Sequence, residues 1–396
     1  MRIALVSDCY WPRVNGVTVS LQSFRDEFLR RGHDVRIYCP AYPESYGSST
    51  EEPSVRRLPS MANGISREDR LLRPSAFPAL FRDLDEFAPD VVHINTEFTM
   101  SIAARLYVRS RGLPLVMTSH TDYEDYVSNY IRILDPRPLK AFVRFVMRRV
   151  FEPADILVTP SPSMERRLRG YRVDKPIHVI PTGIPDLFAP RPAAEVAAWR
   201  ARLDARFPGV AGRRLLIFAG RVTEEKDVAF LLPVLERVGS AKGDVGLLVA
   251  GDGPFKDKLV HLAARRGLAD RIAFAGYVPR AELPLAYCAS EIFVFPSKTE
   301  TLGLCTIEAM AVGLPVVAIG EMGTRDVMGG DHGGFMVPNE VGAFTDAVLA
   351  LLGDEGLRRA KAAEALAVAE RYRIGTVADR LYALYEEAAR RKEQTR

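Results

Sequence analysis

The stretch EIFVFPSKTETLGLCTIEAMAVGLPVVAI, residues 291–319, contains two short apolar runs separated by one predicted helix. The runs EIFVFP (291–296) and LPVVAI (314–319) lack polar alternation, which is typical of strands buried on both faces of a sheet. The helix LCTIEAMAV begins near Leu304. A strand, a helix and a second strand in this order predict a parallel βαβ unit, because parallel neighbours need a long crossover connection.

The same alternation of apolar runs and helices continues along the chain. The runs before residue 185 are IALVS (3–7), VRIYC (35–39), VVHIN (91–95), PLVMTS (114–119), ILVTP (156–160) and HVIPT (178–182). After the proline-rich segment 181–193 the pattern begins again with RLLIFAG (214–220), GLLVAG (246–251) and RIAFAG (271–276). The sequence therefore predicts an α/β protein with two doubly wound, Rossmann-like domains.

The domain boundaries follow from this break in the pattern. The chain has 396 residues, more than a single core comfortably supports. We predict an N-terminal domain over 1–184, a C-terminal domain over 185–375 and a last helix over 376–396 that crosses back to the N-terminal domain; a frayed charged tail is the alternative. Ligands bind such sheets beside the carboxyl ends of the strands, so the predicted site is a cleft between the two domains.

The composition excludes several classes of protein. The 54 basic and 50 acidic residues give a net charge of +4, which is too balanced for general nucleic-acid binding. The cysteines form no CxxC pair, so reduced thiols are expected rather than a structural zinc site. The chain begins with a strand instead of a signal peptide, and no apolar run reaches the roughly 18 residues that a spanning helix needs. These features predict a cytoplasmic protein without metal.

The loop after the first strand carries a candidate anion-binding glycine. Gly16 precedes a helix that begins near Val17, and a helix N-terminus favours phosphate through its backbone N–H groups and dipole. The alternative is a glycine that the turn requires for steric reasons. The absence of GxGxxG counts against a Rossmann dehydrogenase.

The fourth strand is followed by the polar and aromatic segment HTDYEDY. His120 is a candidate for positioning a ligand hydroxyl, and the alternative is a histidine that only packs the loop. The candidate acceptor-binding residues are Tyr123, Asp125 and Tyr126, which could instead cap the next helix.

The first loop of the second half carries two cations. Arg221 and Lys226 lie in GRVTEEKD, between a strand and a helix. A guanidinium fork and an ammonium point charge suit a diphosphate. The alternative is a pair of solvated surface charges.

The stretch 291–319 carries two carboxylates around a helix start. Glu300 lies in the loop, Gly303 allows close approach of backbone N–H groups to a ligand, and Glu308 lies about one turn into the helix. Carboxylates accept hydrogen bonds from hydroxyl pairs. The spacing therefore fits a ligand with hydroxyls at both ends and phosphate in the middle, which describes a nucleotide sugar.

With these residues in place, the sequence resembles the retaining glycosyltransferases of the GT-B fold, a group that includes sucrose-phosphate synthases, mannosyltransferases and glycolipid synthases. The motifs that carry the resemblance are NGV (15–17), SHTDY (119–123), PTGI (181–184), GRVTEEKD (220–227), AGDGP (250–254), AGYVP (275–279) and Glu-x7-Glu (300–308). One departure is Thr301-Leu302, which stands where an aromatic residue often follows the first glutamate, and we expect it to alter packing near the sugar.

The resemblance implies a role for each matching residue. Gly16 would meet the donor phosphate, Arg221 and Lys226 would bind the diphosphate, Glu300 the sugar hydroxyls and Glu308 the ribose, and His120 would lie near the anomeric centre. The backbone around Tyr277 and Val278 would lie beside the base. The remaining predicted donor-binding residues are Gly220, Thr301, Leu302, Gly303 and Leu304.

The same resemblance implies a mechanism. No DxD motif lies in a loop where it would hold a cation, so transfer is predicted to be metal-independent and to need no cofactor. The leaving phosphate would accept the acceptor's proton, and charge on it would be stabilised by cations and a helix terminus. Glu300 is therefore not assigned as a nucleophile of the glycosidase type.

The segment 131–150 bears on the acceptor, with six basic residues and one acid. Arg137, Lys140, Arg144 and Arg148 form a stripe that could contact an anionic membrane, whereas an ordinary packed helix is the alternative. HTDYEDYVSNYIR resembles the corresponding region of bacterial diacylglycerol glucosyltransferases. This resemblance implies a peripheral enzyme on the inner face of the membrane that moves glucose from UDP-glucose to a lipid. Among glycosyltransferases, GDP-mannose as donor or a soluble or different lipid acceptor remains an alternative. Outside the enzymes, the alternative is an inactive nucleotide-sugar-binding protein. The oligomeric state is left open.

Overall fold

The computed structural model describes residues 1–43, 52–62, 69–124 and 136–394. The chain divides into two compact units, Met1–Gly183 together with Ile374–Arg396, and Ile184–Arg373. We call them the N-terminal and C-terminal domains. The division after Gly183 lies one residue from the predicted boundary, and the last helix belongs to the N-terminal domain.

The N-terminal domain contains, in its described residues, a seven-stranded parallel sheet in the order β3-β2-β1-β6-β7-β8-β9 and a small antiparallel pair, β4-β5. Its strands are β1 (Arg2–Val6), β2 (Asp34–Pro40), β3 (Val55–Leu58), β4 (Ser60–Ala62), β5 (Arg70–Leu72), β6 (Val91–Ile94), β7 (Leu115–Thr118), β8 (Ile156–Thr159) and β9 (Ile177–Val179). Its helices are α1 (Gly16–Arg30), α2 (Phe77–Phe87), α3 (Thr99–Arg111), α4 (Pro136–Phe151) and α5 (Pro162–Gly170).

The C-terminal domain contains a six-stranded parallel sheet in the order β12-β11-β10-β13-β14-β15. Its strands are β10 (Arg214–Ala219), β11 (Val245–Ala250), β12 (Ile272–Gly276), β13 (Ile292–Phe295), β14 (Val316–Ile319) and β15 (Gly334–Val337). Its helices are α6 (Ala193–Arg206), α7 (Leu231–Ala241), α8 (Lys256–Arg265), α9 (Leu283–Cys288), α10 (Leu304–Ala311), α11 (Met322–Met328), α12 (Val341–Gly353) and α13 (Glu355–Ala369). This strand order is that of the Rossmann fold.

The predicted fold class is confirmed. Each apolar run named above overlaps a strand, the run 178–182 by only two residues, and most side chains of these strands are buried, as expected where helices cover both faces of a sheet. In β1, Ile3 and Leu5 pack into one apolar cluster, and Ala4 and Val6 pack into another on the opposite face. The sequence pattern missed the short strands β3, β4, β5 and β15, whose residues are partly exposed.

The last helix, α14 (Ile374–Gln394), packs on the N-terminal domain. Tyr385 is fully buried there, and its hydroxyl lies 2.7 Å from Nδ1 of His93. Arg31 on α1 bonds Asp379 at 2.5 Å, and Arg380 donates to the carbonyl of Val179 at 2.6 Å. Buried contacts along this helix, as far as Ala388, exclude the frayed-tail alternative for that part of the chain.

Among the described residues, each helix is too short or too polar to cross a membrane. The four cysteines, Cys9, Cys39, Cys288 and Cys305, are free thiols.

Candidate functional site

The predicted donor-binding residues follow the two central strands of the C-terminal sheet. The strand order reverses between β10 and β13, and the loops after these strands carry Lys226 and Glu300. At such a switch point the two loops diverge to opposite faces and leave a crevice beside the strand ends. Residues that are 74 positions apart are brought together there.

Lys226 and Glu300 form an ion pair within this crevice. The Lys226 Nζ atom lies 2.5 Å from Oε1 of Glu300, and the two side chains are only 18% and 15% exposed. Burial opposes the charged form of Lys226, but the Glu300 carboxylate outweighs this effect and raises the pKa of the ammonium. A second pair, Lys298 with Asp227 at 3.4 Å, joins the same two loops.

The loop from Glu300 enters helix α10 through a left-handed glycine. Gly303 has φ of 83° and is the residue before Leu304, where the helix begins. This φ favours glycine, so the backbone by itself accounts for Gly303, and the predicted close approach to a ligand stays a prediction. Gly323 also supports the loop, because a Cβ there would lie 2.7 Å from the Glu300 carbonyl oxygen and 2.6 Å from the Leu302 nitrogen.

Glu308 lies within α10 and is 2% exposed. Its Oε1 atom lies 3.0 Å from Nη1 of Arg280, which follows strand β12. Burial raises the pKa of Glu308, and the Arg280 guanidinium acts in the opposite direction. Arg280 was not predicted as a site residue, since nothing in YVPR by itself indicates a partner 28 positions away.

The glycines of AGDGP permit a close backbone approach. A Cβ at Gly251 would lie 1.8 Å from the carbonyl oxygen of Gly220, and one at Gly253 would lie 2.4 Å from that of Val222. Gly220 itself has φ of 145°. The loops after β10 and β11 therefore touch through glycine backbone, which fixes the course of the loop that carries Lys226.

The other predicted donor residues occupy the same edge of the sheet. Arg221 is exposed directly after Gly220, and Tyr277 is 55% exposed after strand β12, beside the half-buried Val278. Thr301 is half-buried and Leu302 is buried, so Leu302 offers its backbone rather than its side chain to a ligand.

Several buried hydroxyls near α10 were not predicted. Those of Ser297, Thr306 and Thr324 have no hydrogen-bond partner among the residues that the structure describes. Ser297 follows β13, Thr306 lies on α10, and the Thr324 hydroxyl oxygen would lie 3.5 Å from a Cβ at Gly303. Hydroxyls donate and accept, so they suit a ligand rich in oxygen atoms.

In the N-terminal domain, the strand order reverses between β1 and β6. Asp8, after β1, accepts hydrogen bonds from the backbone N–H groups of Phe98 (3.0 Å) and Met100 (2.8 Å) at the start of α3. A carboxylate is favoured at that helix end. Asp8 therefore fixes the loop after β6, a role that the sequence analysis missed.

His120 lies at this edge and is half-buried. Its Nε2 atom lies 3.4 Å from Oδ1 of Asn95, and burial lowers the pKa of His120 to about 4. The imidazole is therefore neutral at pH 7 and can act through hydrogen bonds rather than as a cation.

Tyr123 is buried and donates its hydroxyl hydrogen to Oε2 of Glu97, which follows β6. Burial raises the pKa of Glu97 to about 8. The other two predicted acceptor residues, Asp125 and Tyr126, lie outside the described residues. Glu97 is thus a polar group of this edge that the sequence analysis did not single out.

Gly16 is the first residue of α1, and Asn15 caps the helix by accepting from the Thr18 N–H at 2.8 Å. Gly16 does not have a positive φ, and a Cβ placed there meets no atom within 4 Å. The alternative of a glycine required by the turn is therefore wrong. The predicted role of Gly16 at a donor phosphate stays a prediction.

Helix α4 buries one face and exposes aromatic residues on the other. Val143, Met147 and Phe151 are buried, whereas Phe142 and Phe145 are 63% and 61% exposed. Helix α3, which is joined to α4 by a 3.1 Å hydrogen bond from Arg105 to the Val150 carbonyl, adds further exposed apolar side chains. These are Ile102 and Leu106, together with Phe98 directly before the helix.

The basic residues of α4 differ in their surroundings. Arg148 is exposed and Lys140 is half-buried, while Arg144 forms an ion pair with the buried Glu124 at 2.8 Å. Arg144 is thus engaged within its own domain. The Arg137 side chain lies outside the described residues.

Within residues 1–43, 52–62, 69–124 and 136–394, no three His, Cys, Asp or Glu side chains come together in an arrangement that could hold a metal ion.

Comparison with known proteins places the chain in a family. Residues 14–186 match the model for Glycosyltransferase Family 4, and residues 213–354 match that for Glycosyl transferases group 1. The chain is 29% identical over 320 residues to the alpha-monoglucosyldiacylglycerol synthase of Streptococcus pneumoniae, covering 81% of this chain and 71% of that protein. It is 29% identical over 331 residues to a GDP-mannose-dependent alpha-mannosyltransferase of Mycolicibacterium smegmatis, covering 83% and 82%.

Solved structures agree on the fold. Anabaena HepE, crystallised with UDP and glucose, superposes with a TM-score of 0.77 at 18% identity, over 98% of this chain and 100% of that one. The chain belongs to the GT-B glycosyltransferases, with a Glycosyltransferase Family 4 domain followed by a Glycosyl transferases group 1 domain.

Proposed function

We propose that this protein is a retaining, metal-independent hexosyltransferase that moves glucose from UDP-glucose to a diacylglycerol-type lipid at the inner face of the cell membrane. The donor would bind the C-terminal domain and the lipid the N-terminal domain. The observation that carries the proposal is the half-buried Lys226–Glu300 pair at the switch point of the C-terminal sheet, with Glu308 one turn into the following helix.

The order of groups along this edge matches the order of groups in a nucleotide sugar. Glu300 can accept hydrogen bonds from sugar hydroxyls, Lys226 and the first N–H groups of α10 can meet the diphosphate, and Glu308 can accept from the ribose. Tyr277 offers an exposed aromatic ring on the loop after β12, next to the predicted base position. The family resemblance assigns the same roles to these residues.

The chemistry requires stabilisation of a departing nucleoside diphosphate. Negative charge grows on the leaving phosphate, and a cation held in a half-buried site acts on it more strongly than a solvated one. Lys226 meets this condition, and Arg221 adds a second cation on the same loop. The leaving phosphate would take the acceptor's proton, so no protein nucleophile enters the proposal. His120, neutral at pH 7, would contribute a hydrogen bond near the reacting sugar.

The choice of donor and acceptor rests on relatives. The name of the Streptococcus pneumoniae protein specifies glucose and diacylglycerol, and HepE was crystallised with UDP and glucose. The mycobacterial relative uses GDP-mannose according to its name, which favours GDP-mannose as the second candidate donor.

A donor screen tests the proposal. Purified protein would be incubated with UDP-glucose, GDP-mannose and other nucleotide sugars, with and without diacylglycerol vesicles, and the released nucleoside diphosphate and the lipid product would be measured. We expect lipid-dependent release from UDP-glucose and an α-linked glycolipid. If only GDP-mannose releases its nucleoside diphosphate, the donor is GDP-mannose and not UDP-glucose. If a soluble acceptor is glycosylated and the lipid is not, the proposed acceptor is wrong. Nucleotide binding without turnover of any donor would favour the inactive binding protein.

Metal independence is a separate expectation. In the proposed complex, Lys226, Arg221 and the N-terminus of α10 would offset the charge of the diphosphate, so transfer should keep its rate after chelation. The measurement is the initial rate in excess EDTA compared with the rate after readdition of Mg²⁺ or Mn²⁺. A loss in EDTA that either cation restores would contradict this part of the proposal.

Membrane association rests on exposed apolar side chains beside cations. Phe142 and Phe145 project from α4, and Arg148 on the same helix is exposed. Such a helix can bury its aromatic rings at the lipid boundary while its cations meet anionic headgroups. The apolar side chains of α3 extend the exposed surface to a second helix.

We therefore expect the double variant Phe142→Ser/Phe145→Ser to bind anionic vesicles at least about 10-fold more weakly, because each buried phenylalanine contributes about 1.5–3 kcal/mol. Arg148→Glu should weaken binding in low salt; it is preferable to Arg144→Glu, which would place a second carboxylate beside Glu124. Vesicle co-sedimentation is the measurement, and Leu29→Ser, which removes a 41% exposed side chain of α1, is the control. Equal binding by all variants would refute the role of α4.

A further inference from the structure

Arg280 occupies a fixed position between two buried groups of the C-terminal domain. Its guanidinium carbon lies 4.9 Å from the centre of the Phe188 ring, and Nη1 lies 3.0 Å from Oε1 of Glu308. Phe188 is fully buried, and its carbonyl oxygen accepts a hydrogen bond from Arg373 at 2.9 Å. The guanidinium is thus held by a cation–π contact on one side and directed at a carboxylate on the other.

The contact with Glu308 leaves that carboxylate able to bind a ligand. By geometry, Oε1 of Glu308 accepts no well-aligned hydrogen bond in the part of the chain that the structure describes, so its 3.0 Å contact with Nη1 of Arg280 is mainly an ion pair. Tyr287 is the other hydrogen-bonding group beside this carboxylate. A diol such as ribose offers two O–H donors, and an ionised carboxylate offers two acceptor oxygens. A protonated carboxyl would lose part of this acceptor capacity.

Glu308 must stay ionised to offer both acceptor oxygens, but a buried carboxylate without a nearby cation tends to take up a proton. Arg280 is the cation that faces Glu308. Tyr287 on α9 and Cys305 on α10 also face it, and burial raises the pKa of both, so both stay neutral from about pH 6 to about pH 9. A pH response of this site is therefore assigned to Glu308.

We propose that Arg280 is a positioning residue that holds Glu308 in the charge state and orientation that bind the ribose of the nucleotide donor. The inference rests on the proposed donor role of Glu308. It predicts that the site distinguishes ribose from deoxyribose, and that this discrimination depends on a residue which does not itself bind the sugar.

The test measures binding without turnover. The dissociation constants of UDP, 2′-deoxy-UDP, GDP and 2′-deoxy-GDP would be determined by calorimetry for the native protein and for Arg280→Gln, Arg280→Lys and Glu308→Gln. We expect the native protein to prefer the better-bound ribonucleotide over its deoxy form by about 10- to 100-fold, the range for a hydrogen bond to a charged group. Arg280→Gln and Glu308→Gln should both reduce this ratio to about 3-fold or less, and Arg280→Lys should restore most of it.

The pH profile separates positioning from a general structural loss. Without Arg280 the pKa of Glu308 rises further. The Arg280→Gln variant should therefore bind the ribonucleotide weakly at about pH 6 and regain affinity as the pH approaches about 9. The Glu308→Gln variant, whose amide cannot ionise, should bind the ribonucleotide weakly at every pH. The affinity of the native protein should change least with pH. If Arg280→Gln does not fold, Arg280→Lys, which keeps the charge but not the fork, still reports retained or lost discrimination.

The possible failures are distinguishable. If neither UDP nor GDP binds, or if Glu308→Gln keeps the full ribose preference, the proposed donor site is wrong. If Glu308→Gln loses the preference while Arg280→Gln keeps it, or if Arg280→Gln is equally weak at every pH, only the role of Arg280 is overturned.

Discussion

Replacing Lys226 with alanine is expected to lower kcat by about 10²- to 10³-fold, the range for removal of one preorganised electrostatic contact to a developing charge. The Lys226 ammonium is half-buried and held 2.5 Å from Glu300, so it is already desolvated and oriented before any reaction. An alanine leaves the departing phosphate without this charge and leaves Glu300 without its partner.

Lys298→Ala is the matched control for this experiment. Lys298 forms an ion pair with Asp227 at 3.4 Å and joins the same two loops. Its replacement therefore removes an ion pair between these loops but leaves the predicted phosphate position unchanged. We expect Lys298→Ala to keep kcat within about 3-fold, because partly exposed ion pairs contribute about 0–1 kcal/mol. Equal losses in the two variants, with equal losses of thermal stability, would show that Lys226 only holds the loops together.

Replacing Gly16 with alanine is expected to lower kcat/KM by about 10- to 100-fold while leaving the fold intact. The added methyl group meets no atom of the protein within 4 Å, and the backbone there is helical. If a donor phosphate approaches this N–H, the methyl group prevents it and one charge-assisted hydrogen bond is lost, which costs about 1.5–3 kcal/mol. The free energy of unfolding should stay equal or rise by up to about 1 kcal/mol, since alanine favours a helix over glycine.

Gly170→Ala provides the control within the same domain. Gly170 ends α5, does not have a positive φ, and also has open space around its Cβ position. Both variants should keep their thermal unfolding temperature, and only Gly16→Ala should lose activity. Full activity in Gly16→Ala would remove Gly16 from the donor site.

The site could be predicted only where its residues share a local motif. Gly303 and Glu308 lie within one strand–loop–helix unit, and Lys226 follows the first strand of a second pattern, so their positions relative to the sheet edge followed from strand prediction. The pairing of Lys226 with Glu300 could not be predicted, because it depends on β10 and β13 being neighbours in the sheet.

Other parts of the site carry no local signal. Arg280 reaches Glu308 from the loop after β12, and Asp8 reaches the start of α3 from a loop some 90 residues earlier. In the sequence each looks like an ordinary polar residue of a loop. Their importance comes from burial and from the partner that the fold supplies.

By itself, the sequence determined the two Rossmann-like sheets and the loops on which the chemistry would lie. It could do so because strands buried on both faces must be apolar throughout, and this pattern is visible without knowledge of contacts. The tertiary structure alone decided that Gly16 is not needed by its turn, that Arg144 is engaged by Glu124, and that Lys226 and Arg280 face the two glutamates. Charge state and orientation depend on neighbours far away in the chain, and only folding brings those neighbours within a few ångströms.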